Sequence, residues 1–196
     1  MIVDTGKPAE HRVARAVTEA FAPAVWAAAM PVVVGLHAGA PWWGLVTVLF
    51  TAAVPYGVIW LGVRRGRLTD HHIGKREQRR APLAIGLASV LAGLGLLVVA
   101  DAPGELVAMV VVMLLVLLGT TLVNLRWKLS AHTAVSAGAV TALTVLFGPL
   151  LAAGALLVAV IGWSRVRLGD HTAAQTVAGA VLGAAIAAAV FMPLAR

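Results

Sequence analysis

The chain has 196 residues, 61% of them hydrophobic and 12% charged, with a mean hydropathy of +0.95. A soluble domain carries about twice that share of charge, so the composition excludes an ordinary soluble fold and indicates an integral membrane protein. Cysteine is absent, which excludes disulfides and thiolate metal sites. The formal charge of +7 suits anionic lipid or a phosphate substrate, and with this much apolar surface no nucleic-acid partner is expected.

In chain order, residues 1–20 form a separate N-terminal cytoplasmic segment, and residues 8–20 are predicted to make a short amphipathic helix lying at the membrane surface. This segment is charged and lacks a short apolar core followed by a small-residue cleavage site, so no secretory signal is expected. The remainder, 21–196, reads as one all-α domain, a polytopic transmembrane bundle. A spanning helix needs roughly 20 apolar residues. Spans are predicted at about 21–39, 43–63, 83–100, 105–124, 132–147, 150–163 and 172–193. The first carries Pro23 and Pro31 and is expected to kink. The fifth and sixth are short and are read as tilted or shielded, giving six to seven spans. Gly179 and Gly183, at small-xxx-small spacing, permit close helix packing. Packing inside the bundle is the expected use, with a homodimer face as the alternative. Trp26, Trp42, Trp43 and Trp60 suit an interfacial belt.

Alternating spans put Lys7, Arg12, Arg15, Arg64, Arg65, Arg67, Lys75, Arg76, Arg79, Arg80, Arg126, Lys128, Arg165 and Arg167 on one side. The other side holds Asp101, Glu105 and Arg196. The excess of basic residues makes the first side cytoplasmic and the location a cell membrane. Three polar stretches, "RRGRLTDHHIGKREQRRAP", "LRWKLSAHTA" and "SRVRLGDHTAAQ", then fall on that one face.

These stretches carry the ingredients of a phosphate site. His171 and Gln175 are four apart at a helix start and share a face. Arg165, in the preceding loop, can take phosphate through two parallel hydrogen bonds. Ser130 and His132 open a second helix, whose N-terminus adds donors and partial positive charge. Lys75, Arg76, Arg79 and Arg80 supply further cations. Two imidazoles in a cationic pocket suit two-step phosphoryl transfer, one attacking phosphorus and the other serving as acid and then base. His11, His37, His71 and His72 are read as surface residues.

"SRVRLGDH" matches the S-R-x5-H core of the third motif of the type 2 phosphatidic acid phosphatase and vanadium haloperoxidase superfamily. "LSAH" resembles that family's P-S-G-H second motif, and "KREQRRAP" loosely resembles its K-x6-R-P first motif. The resemblance covers residues 64 to 193 and implies a PAP2-type core in the membrane lipid-phosphatase branch. His171 would be the nucleophile forming a phosphohistidine, and His132 the general acid and then base. Arg165, Lys75 and one of Arg79 or Arg80 would hold the phosphate, with hydrogen bonds from Ser130. No metal or other cofactor is implied. The family continues H-x3-D, with the aspartate orienting the nucleophile; Gln175 stands there and can accept the imidazole N–H without supplying negative charge. Leu129 and Ala131 replace the proline and glycine of the second motif, and the spacing of the first differs.

The expected activity is hydrolysis of a lipid phosphate or diphosphate, such as a polyprenyl phosphate or phosphatidate, drawn sideways from membrane lipids. A membrane prenyl or alcohol-phosphate transferase is one alternative, although Asp70, Glu77 and Asp170 are too few for two Asp-rich magnesium motifs. A non-catalytic lipid-binding relative is the other.

Overall fold

A computed structural model describes residues 8–66 and 80–195 of the chain. Lys75, Arg76 and Arg79 lie outside the described residues, and Arg80 is described only as the backbone start of a helix. Among the described residues the structure is helical with no strand, so the all-α expectation is borne out.

The helices are α1 (Pro8–Ala20), α2 (Pro23–His37), α3 (Pro41–Val48), α4 (Val54–Arg64), α5 (Arg80–Val99), α6 (Gly104–Asn124), α7 (Ala131–Phe147), α8 (Ala155–Arg167) and α9 (Ala173–Phe191). Each predicted span corresponds to a helix or a continuous helical run. Among the described residues, four runs are long and apolar enough to cross a membrane: Pro41–Arg64, Gly104–Asn124, Pro149–Arg167 and Ala173–Phe191. A fifth arises if α1 and α2 count as one bent span, and Ala84–Val99 and Ala131–Phe147 are shorter apolar helices. The long apolar helices make this a membrane protein.

The chain divides into two compact units, residues 27–114 and residues 1–26 with 115–196. In the first, α3 and α4 form one run through a π-helical turn at Leu49–Ala53. Pro55 follows immediately at the start of α4. A proline inside a helix lacks its N–H and crowds the carbonyl one turn back, and a π turn absorbs that insult. Thr51 Oγ1 lies 2.9 Å from the Ala27 and Thr47 carbonyls, and Ser89 Oγ donates to Phe50 O at 2.8 Å. Arg64 stacks over the Trp60 ring, 4.6 Å from its centroid, at the basic end of α4.

In the second unit α7 and α9 run side by side in the same direction. Ser130 N–H donates to Gln175 O at 3.3 Å, and Thr133 Oγ1 donates to Thr176 O at 2.8 Å. One turn on, Gly179 lies against the Ser130 carbonyl and Thr133 Oγ1, and Gly183 against the Ala134 carbonyl, so that an added Cβ would collide at both positions. The small-residue stripe therefore packs α9 onto α7 inside this unit. At Gly162, the antiparallel α8 lies against Thr133 and Thr176. The C-terminal end of α8 thus meets the N-terminal ends of α7 and α9, and the site is built at that end. Helix α1 forms where the sequence predicts it. It packs on α8, with Ala14 fully buried and Thr18 nearly so, so part of its surface is covered by protein instead of lipid.

Candidate active site

The "SRVRLGDHT" stretch is a helix ending followed at once by a helix beginning. Helix α8 closes in a Schellman turn. Gly169 N–H donates to Val166 O at 3.0 Å and Asp170 N–H to Arg165 O at 3.1 Å, with Gly169 at φ +72°. Glycine enters that left-handed region without the Cβ penalty. The turn folds the chain back, so that His171 N–H also reaches Arg165 O at 3.3 Å. The five residues between Arg165 and His171 are thus one reversed turn, and the spacing brings arginine and histidine together.

The next residues start α9 with a reciprocal capping box. Gln175 N–H donates to Thr172 Oγ1 at 3.3 Å, and Thr172 N–H donates to Gln175 Oε1 at 3.1 Å. Each satisfies a backbone donor that a helix start leaves open. The side-chain oxygen of Gln175, expected from sequence to serve the imidazole, is engaged by the Thr172 backbone. Gln175 still lies within hydrogen-bonding reach of His171.

The other wall is the loop from α6 to α7. Asn124 holds it from both ends: its Nδ2 donates to Thr120 O at 2.7 Å and to Leu129 O at 3.3 Å, and its Oδ1 accepts from Leu129 N–H at 3.1 Å. Ser130 then caps α7, its Oγ accepting from Thr133 N–H at 3.5 Å. Ser130 is fully buried, and His132 follows in the first turn, half-buried.

The two walls join at His171. Its Nδ1 lies 3.3 Å from the Lys128 carbonyl oxygen. A carbonyl can only accept, so Nδ1 carries the ring proton and Nε2 the lone pair. Burial holds the His171 pKa below its ordinary value. The bond to the Lys128 carbonyl and that to Gln175 oppose this, and the charges of Arg165 and Lys128 add to it.

Arg165 is largely buried, 14% exposed at the side chain, and its Nη2 lies 2.9 Å from Asp170 Oδ2. Its Nε is buried without a hydrogen-bond partner. Ser130, His132, Arg165, His171 and Gln175 all belong to the second unit, at the meeting of α7, α8 and α9. Lys75 and Arg79 lie outside the described residues, as does the side chain of Arg80.

Sequence reasoning did not single out Lys128 as an imidazole partner, Asp170 as the arginine's partner, or Asn124. A backbone carbonyl leaves no mark in the residue code. Asp170 was legible only as a carboxylate at the reversal of a Schellman turn, signalled by Gly169.

The model of the PAP2 superfamily matches residues 106–194, a range that includes the second- and third-motif stretches and all five described site residues. No curated protein matches the chain, and no solved structure does.

Proposed function

We propose, from the match of the PAP2 superfamily model to residues 106–194, that the chain is a membrane phosphatase acting on a lipid phosphate or diphosphate through a phosphohistidine. The observation that carries this reading is the His171 Nδ1 contact with the Lys128 carbonyl. It leaves Nε2 with the lone pair that a nucleophile needs, and burial, which holds the His171 pKa below its ordinary value, favours the neutral ring.

In the first step Nε2 of His171 attacks phosphorus as the bond to the lipid oxygen breaks. His132 gives its proton to that oxygen, releasing the lipid alcohol or, from a diphosphate, the lipid monophosphate. In the second step His132 takes a proton from water, the oxygen of that water attacks phosphorus, and the N–P bond breaks. Inorganic phosphate and a free His171 result, and the protons balance over the cycle. Arg165 serves the equatorial oxygens. Ser130 shapes the start of α7, whose first-turn N–H groups lack intrahelical partners and favour an anion. The substrate tail lies among the apolar helices with the head group at the cytoplasmic face. No metal is needed in this scheme.

The test is phosphate release by the purified protein from phosphatidate and from polyprenyl mono- and diphosphates, with and without EDTA and vanadate. Release that survives EDTA, is blocked by vanadate and is lost in His171→Ala supports the reading. Dependence on magnesium would favour the transferase alternative, and no release from any of these would favour the binding relative.

A further inference from the structure

Carboxylates on two elements act on Arg165. Asp170 holds Nη2 from the Schellman turn at 2.9 Å. Glu19, near the end of α1, exerts a weaker electrostatic pull on the same guanidinium than Asp170 does. The neighbours of both residues are also joined: Thr18 Oγ1 and Ser164 Oγ lie 3.1 Å apart in a buried contact. Two turns earlier in α1, Glu10 Oε2 meets Arg167 Nη2 at 2.8 Å. Ala14, between these two contacts, is fully buried. Helix α1 therefore grips Ser164 and Arg167 on either side of Arg165. None of α1 belongs to the family-matched range, which begins at residue 106.

We propose that α1 is a strap that positions Arg165 for the phosphate. Thr18 and Glu10 fix the last turn of α8, which carries Arg165, so that anion affinity depends on α1 being docked. Thr18 and Glu10 act through Arg165 and are positioning residues. The proposal rests on the phosphatase reading only in taking Arg165 as an anion ligand. The physical case is one of geometry. With the last turn of α8 held by α1 and Nη2 held by Asp170, the guanidinium keeps its Nε and remaining Nη hydrogens for a further partner. The buried, unpartnered Nε is the donor such a partner would take.

The chain lacks cysteine, which makes docking directly testable on the full protein. In Thr18→Cys/Ser164→Cys, mild oxidation should cross-link α1 to α8 and shift gel mobility, and the locked protein should bind inorganic vanadate as the wild type does. Loosening the strap with Thr18→Val/Glu10→Arg should weaken vanadate binding, measured by calorimetry, roughly two- to fivefold. It should also raise KM by a similar factor with kcat unchanged. Adding Arg167→Glu to Glu10→Arg reverses both charges of the pair and should restore affinity, which a general loss of fold would not allow. Failure of the pair to cross-link, or equal vanadate affinity in the loosened and wild-type proteins, would overturn the strap. The two readings fail separately. Absence of lipid-phosphate hydrolysis with a strap-dependent vanadate affinity sinks the phosphatase reading alone. His171-dependent hydrolysis with strap-independent affinity and KM sinks the strap alone.

Discussion

Nδ1 of His171 lies 3.3 Å from the carbonyl oxygen of Lys128, so the ring that sequence reasoning assigned as nucleophile is oriented by backbone. The side chain of the same lysine pushes the imidazole pKa down. Lys128→Met keeps the carbonyl and removes the charge. Without the positive neighbour imidazolium is easier to form, so the pKa of His171 rises. Activity requires the neutral ring, and the acidic limb of the kcat/KM profile should therefore move to higher pH. A pH–rate profile of the two proteins checks this, and an unmoved limb would separate that limb from His171.

Gln175→Glu makes a second, independent titration of the same ring. Glutamate preserves the capping box with Thr172 and places a negative charge beside His171, raising its pKa. The acidic limb should again shift upward while thermal unfolding in detergent stays near that of the wild type. Thr172→Ala should behave oppositely: it loses the helix cap and costs about 1 kcal/mol of stability, read as a lower unfolding temperature.

Gly183 lies against the Ala134 carbonyl, and an alanine there must push α7 and α9 apart. Gly183→Ala should cost about 1–3 kcal/mol and disturb the two helix starts that carry His132 and His171, lowering both unfolding temperature and activity. Gly95, with nothing within 4 Å of an added Cβ, is the control. Gly95→Ala should leave stability equal or higher, because alanine favours helix over glycine.

Gly169 adopts φ +72° in the Schellman turn. Gly169→Ala should cost roughly 1–2 kcal/mol at that single residue. Because the turn sets the approach of Arg165 to His171, KM for a lipid phosphate should rise alongside the loss of stability. Kinetics together with thermal unfolding check both effects.

Much of the helical layout is legible in the sequence because apolar runs such as 105–124 and 172–193 have the length a bilayer demands, and α6 and α9 occupy them closely. The short runs at 132–147 and 150–163 are helices too, the latter extended by a 3-10 turn at Pro149–Gly154. The clustering of Ser130, His132, Arg165 and His171 at one end of their unit follows from spacing within two short stretches. The connections between those stretches were not legible. His171 is oriented by a carbonyl, which every residue type carries. Gln175, four residues after His171, suits an imidazole partner by spacing, and its place three residues after Thr172 also fits the helix cap that the structure shows. Helix α1 was legible as amphipathic, but a stripe of Ala14 and Thr18 does not announce whether lipid or α8 will cover it.

The most direct measurement is rapid acid-free quenching of the protein mixed with radiolabelled phosphatidate or polyprenyl diphosphate, followed by peptide mapping of protein-bound label. Label on His171 that is stable to base, labile to acid and absent from His171→Ala is the expected result. Undiminished phosphate release by His171→Ala, or label that maps to another residue, would contradict a phosphohistidine at this position.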